Sequence, residues 1–150
     1  MSKLVPCLVT AVTLLIGCAS AAHAEGNPIE ARQACMKANG KMMGVMAAVI
    51  KGEKPYDKAA IDAAVNATEQ ACAGWANWWG DDTKPGGAIE TEAKAEIWTD
   101  KAGFDAASAD YMKAFGAVKA TADEAAFKGA FPALGATCKS CHEKYRAPKS

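Results

Sequence analysis

Beyond residue 24 the apolar positions recur at helical spacing, and no sustained apolar–polar alternation is present. Ile29, Met36, Met43, Ala47 and Ile50 form a first stripe, opened by Asn27 as cap, Pro28 at the first helical position and Glu30 in the first turn. The segment 51–56 (KGEKPY) ends it, because Gly52 and Pro55 both disfavour a helix. Asp57 caps a second stretch with Ile61, Val65, Thr68, Cys72, Trp75 and Trp79 on one face, and residues 80–87 (GDDTKPGG) read as the longest loop. A third stretch carries Ile97, Phe104, Ser108, Tyr111, Phe115 and Val118. Thr121 and Glu124 make a capping-box pair that opens a fourth, with Phe127, Phe131, Leu134, Cys138, Cys141 and Tyr145 on it and Pro132 as a site for a kink. Four helices of roughly 20 residues with short or medium connections predict an all-α fold, an up-down-up-down antiparallel four-helix bundle about 30 Å long.

Residues 1–24 depart from this pattern. Lys3 precedes the apolar run 4–17 (LVPCLVTAVTLLIG), which is short for a membrane span, and Ala22-His23-Ala24 supplies a small-x-small ending. The expected organisation is a signal peptide over 1–24, cleaved after Ala24, and one domain over 25–150. Two other fates fit the same residues: acylation of Cys18 after Leu15-Ile16-Gly17, giving a lipid-anchored protein, or an uncleaved anchor. Export implies the periplasm, where thiols tend to be oxidised.

The chain has 17 basic and 17 acidic side chains, and loss of Lys3 leaves one acidic group in excess. That balance argues against a nucleic-acid partner. Six Cys and two His are present in all, and cleavage removes Cys7, Cys18 and His23. Four Cys and a single His remain.

Cys138-Lys139-Ser140-Cys141-His142 is a C-x-x-C-H run, which in an exported chain reads as a covalent haem attachment site. Two thiols at that spacing can add to the two vinyl groups of one porphyrin, and the imidazole of His142 is then carried beneath the iron. A thioredoxin-like site would need a βαβ context, and a zinc site a second ligand pair; neither is present. With His142 as the one imidazole left, the sixth iron position falls to Met, Lys, water or nothing.

Distance from the helical turns sorts the methionines. His142 lies roughly 31 Å from its turn and Met36 roughly 26 Å from the turn at the same end, whereas Met42, Met43, Met46 and Met112 lie only about 11–17 Å away. Met36 is therefore the expected ligand. Lys101 shares the level, but ligation would require it to lose a proton, so it is expected on a haem propionate or in water. Cys35 and Cys72 are equidistant from the first turn, which brings them to one level and predicts a disulfide.

A C-x-x-C-H near the C-terminus of a four-helix exported chain resembles the cytochrome c-prime family. Arg32-Gln33 resembles the family's haem-propionate contact, residues 51–57 its first loop, Glu96-Ile97-Trp98 the opening of its third helix and residues 142–146 its ending. Typical members leave the distal iron face apolar, often with Leu, and bind nitric oxide or carbon monoxide. Met36 at that position resembles the low-spin cytochrome c-556 branch, which implies His142/Met36 ligation and electron transfer to redox partner proteins. The alternative is a five-coordinate, high-spin protein that binds or scavenges a diatomic gas. A third, docking-subunit reading rests on Trp75, Trp78 and Trp79, for which core and loop packing is the simpler account. The resemblance also implies a homodimer. No nucleophile–base pair or carboxylate dyad has interpretable spacing, so an enzyme is not expected.

Overall fold

The computed structural model describes residues 26–148; the expected signal segment and Cys18 lie outside the described residues. The chain folds as α1 (Pro28–Ile50), α2 (Lys58–Ala71), a one-turn α3 (Glu96–Thr99), α4 (Lys101–Lys119) and α5 (Glu124–Tyr145). The four long helices make the expected bundle, with α1 against α2 and α4 against α5 as the two closely packed hairpins. The connections at 51–57 and 120–123 lie at one end, termed the turn end. The long connection 72–95 and the last turn of α5 lie at the other, the open end.

Several caps follow from single side chains. Asn27 Oδ1 accepts from the Ile29 N–H at 2.9 Å, and Asp57 Oδ1 from the Ala60 N–H at 3.1 Å. Gly52 ends α1 with φ +73°, a left-handed conformation that favours glycine.

Three boundaries differ from the sequence pattern. The second stretch stops at Ala71, and Trp75–Asn77 form only a single 3-10 turn. Gly74 weakens continuation, and Trp75 and Trp79 turn inward onto Phe104, at ring distances of 6.1 and 4.6 Å. The third stretch is interrupted at Asp100, whose carboxylate accepts from the Gly103 N–H and caps α4. For α5 the cap is Asp123, accepting from the Ala126 N–H at 2.8 Å, while Thr121 donates backward to Val118 O. Asp123 stands one residue before the helix and so displaces the Thr121–Glu124 box.

The buried face of α1 is rotated from the predicted stripe. It consists of Ile29, Arg32, Cys35, Asn39, Met42, Met46 and Val49, whereas Met36 and Ile50 are exposed. Arg32 and Asn39 read as polar in the sequence but are taken inside because the fold supplies their hydrogen-bond partners.

Apolar packing divides into two clusters. At the turn end Met42, Met46, Val49, Ile61, Val65, Phe115, Val118, Phe127 and Leu134 interlock. Fully burying a side chain of this kind contributes about 1.5–3 kcal/mol. At the open end Ile97, Phe104 and Tyr145 pack with Trp75, Trp79, Trp98 and Cys141. Between them the Cys35–Cys72 disulfide, with Cα atoms 4.8 Å apart, joins α1 to the end of α2 as the level count predicted. Closing a loop of 37 residues contributes about 4 kcal/mol in the chain-entropy model.

Candidate functional site

The last two turns of α5 carry Cys138, Cys141 and His142, all half-buried. Both thiols are free. Burial pushes both above their ordinary value, with Cys138 adding to the effect at Cys141, so they remain protonated thiols near neutral pH. Burial, then the Arg146 cation, lowers the pKa of His142 against a smaller opposing pull from Glu92. Its imidazole is thus neutral, with a ring nitrogen lone pair available to a metal. His142 lines an open cleft of about 370 Å³ with Lys94, Glu143, Arg146, Ala147 and Pro148.

This end of α5 is fastened by the segment before α3. Lys94 N–H donates to Tyr145 O at 2.9 Å and Ala147 N–H to Glu92 O at 2.7 Å. Arg146 Nε pairs with Glu92 Oε2 at 2.5 Å. Asp100 receives the Tyr145 hydroxyl at 2.8 Å and the Lys144 ammonium at 2.5 Å, which ties the start of α4 to the same turn.

A buried polar chain sets the level of α1. Tyr111 on α4 donates to Asn39 Oδ1 at 2.5 Å, and Asn39 Nδ2 donates to Cys35 O at 3.0 Å and faces Cys72 Sγ at 3.4 Å. Burial, and then repulsion from the Cys138 thiolate that forms only at high pH, raise the Tyr111 pKa well above that of an ordinary phenol. Toward the open end α1 and α5 run in opposite chain directions, and Met36 lies beyond Asn39 by about 4.5 Å of helical rise as His142 lies beyond Cys138 by about 6 Å.

Met36 itself is 39% exposed, at the edge of the buried face of α1. Met42 and Met46 belong to the turn-end core and Met112 is exposed. Lys101 pairs with Asp105 at 2.8 Å on the surface. Arg32 is buried: its Nη1 donates to Trp78 O and Thr83 Oγ1 and its Nη2 to Thr83 O, at 3.0–3.1 Å. Gln33 is exposed and donates to Glu90 O at 2.9 Å. Arg32 and Gln33 thus hold the long 72–95 connection against α1. The sequence reading missed the Asn39–Tyr111 pair and the Asp100 latch. The four-residue spacing of Cys35 and Asn39 was the one available hint of the former.

The donor set suits a porphyrin. Two protonated thiols three residues apart and a neutral imidazole next to the second are groups that could hold a porphyrin covalently and bind its iron. Among the described residues no cluster of three or more His, Cys, Asp or Glu side chains converges to cage a bare ion.

Comparison with known proteins agrees with this chemistry. The family model described as Cytochrome C' matches residues 27–146. Cytochrome c-556 of Rhodopseudomonas palustris is 35% identical over 135 residues, covering 88% of this chain and 91% of that protein. The solved structure of cytochrome c' from Rubrivivax gelatinosus superposes with a TM-score of 0.72 at 30% identity, over 81% of this chain and 95% of that one. A ferrous cytochrome c prime variant from Alcaligenes xylosoxidans, solved with bound nitric oxide, gives 0.70 at 31% identity over 81% and 94%.

Proposed function

The chain belongs to the cytochrome c' family and carries one covalently attached haem c, and on that premise we propose that it is an exported, low-spin electron-transfer cytochrome. Cys138 and Cys141 hold the porphyrin as thioethers, His142 is the proximal ligand and Met36 the distal one. Residues 1–24 form the signal peptide, residues 25–150 the single working domain, and the periplasm is its compartment, with a lipid anchor at Cys18 as the other outcome of processing. When bound, the haem supplies a one-electron couple at iron, whose potential methionine ligation raises.

The protein's own residues limit movement around that couple. The ties from Glu92, Lys94 and Asp100 to residues 144–147 fix the turn bearing His142, and the Asn39–Tyr111 bond fixes the turn next to Met36. The neutral state of His142 favours coordination without prior proton loss. The aromatic rings of the open-end cluster exclude water beside Cys141. Redox partner proteins are the expected partners. A second copy of this chain has the groove between α1 and α2 available, with a small-residue floor of Ala34, Ala38, Ala64 and Ala67.

The observation that supports the ligand assignment is the Asn39–Tyr111 hydrogen bond, which ties α1 to α4 one turn from Met36, on the side of Met36 away from the open end. A ferric visible spectrum of the purified holoprotein tests it. A methionine-to-iron charge-transfer band is expected, and Met36→Leu should abolish that band and convert the spectrum to high spin. A high-spin ferric spectrum in the unsubstituted protein would sink the assignment. The second reading, a five-coordinate protein that binds nitric oxide or carbon monoxide, is favoured by one feature, the exposed edge position of Met36. Gas binding by the unsubstituted reduced protein would support it.

A further inference from the structure

Trp79 Nε1 is the one buried side-chain nitrogen or oxygen without a hydrogen-bond partner among the described residues. Native folds seldom leave a buried N–H unpaired. The adjoining indoles are satisfied: Trp98 Nε1 donates to Trp79 O and Gly80 O, each at 3.1 Å, and Trp75 Nε1 reaches Ser108 Oγ at 3.4 Å.

The Arg32 guanidinium stacks on the same Trp79 ring, 4.5 Å from its centroid, and lies 5.7 Å from that of Trp98. Arg32 is only 4% exposed, and its acceptors, Trp78 O and the two oxygens of Thr83, are all neutral. None of the ion pairs among the described residues includes Arg32, so no carboxylate faces this buried cation. Burial accordingly lowers its pKa, as expected for a cation desolvated without a counter-ion. Asp81, on the adjoining loop, is already paired with Lys84 in solvent.

An unpaired N–H and an uncompensated cation in one aromatic cage require the same complement, an anionic acceptor that both can reach. The cage belongs to the cluster that packs against Cys141, so a porphyrin attached there brings such acceptors with it. We propose that Trp79 is a haem-binding residue whose indole N–H donates to a propionate, with the buried Arg32 supplying the opposing charge. This rests on haem attachment at Cys138 and Cys141, and it adds to that reading a named donor and the reason Arg32 is buried.

The experiment uses the mature holoprotein. Intact mass and the alkaline pyridine spectrum first report covalent haem; a chain matured without it overturns the attachment reading and this inference together. With haem attached, the reduced protein under carbon monoxide is diamagnetic whether Met36 or the gas fills the sixth position. A nuclear Overhauser contact from the Trp79 indole N–H to a propionate methylene is expected there. In Trp79→Phe, which keeps a ring against Arg32 and Phe104, the resonance Raman propionate bending band should shift and the midpoint potential should fall, because a carboxylate that loses a donor favours ferric iron. Trp75→Phe, which removes a donor bonded to Ser108, should leave the band in place. No Overhauser contact in the unsubstituted holoprotein, or an unmoved band in Trp79→Phe, overturns the proposal while leaving haem attachment intact. The Overhauser measurement decides the matter even where Trp79→Phe does not mature.

Discussion

Asn39 and Tyr111 together account for the difference between the predicted and the observed face of α1. Hydropathy alone assigns Asn39 to water and Met36 to the core. The fold reverses this, because Asn39 finds an acceptor in Cys35 O and a donor in the Tyr111 hydroxyl, so its burial carries no unpaired group. Such a reversal depends on a partner 72 residues away and cannot be read from local periodicity. The cysteines are different, since equal distance from a turn is a property of the sequence itself; Cys35 and Cys72 were placed correctly by counting. Tyr111→Phe tests the polar pair. The ring remains, but Asn39 Oδ1 loses its donor inside the bundle, and the holoprotein should lose about 1–3 kcal/mol. Chemical denaturation followed at the haem band measures this; an unchanged midpoint would mean that the pair contributes nothing to stability.

Helix ends were legible where one residue decides them and misread where two compete. Asn27 and Asp57 cap as the pattern required, but Asp123 outcompetes Thr121, and Asp100 splits the third stretch because its carboxylate serves α4 and α5 at once. Lys144, Tyr145 and the Gly103 N–H, in that order, hold the Asp100 carboxyl below its ordinary 3.8. Because its folded pKa lies below the unfolded one, the stabilisation is complete above the unfolded value and is lost as pH falls through the folded value. The unsubstituted protein should therefore be more stable than Asp100→Asn at neutral pH, and the gap should close in acid below the ordinary Asp range. Thermal unfolding of both proteins from neutral pH into acid checks the sign; a gap that widened on acidification would contradict the latch.

The bundle itself was legible because helix lengths and short connections leave few packings, whereas the division of its interior into two clusters depends on where α2 stops. By ending at Ala71, α2 leaves Trp75 and Trp79 to form a second cluster at the open end, and the polar and sulfur groups of Cys35, Asn39, Cys72 and Tyr111 separate it from the first. The turn-end cluster draws on all four long helices and needs no cofactor contact. The open-end cluster draws on the 72–95 connection, α3, α4 and the last turn of α5, and it includes Cys141, one of the two thiols proposed to attach haem. A Cys138→Ala/Cys141→Ala chain, made without covalent haem, should thus lose structure unevenly. Amide exchange around Met46, Val65, Val118 and Phe127 should stay slow. Around Ile97, Phe104 and Tyr145 it should accelerate at least about tenfold more, equivalent to about 1.4 kcal/mol of local stability. The intact Cys35–Cys72 loop keeps α1 and α2 together in both proteins, so the contrast does not arise from loss of that cross-link. Equal acceleration at both ends would show that the clusters open as one cooperative unit, and the haem would then hold the whole bundle rather than its open end.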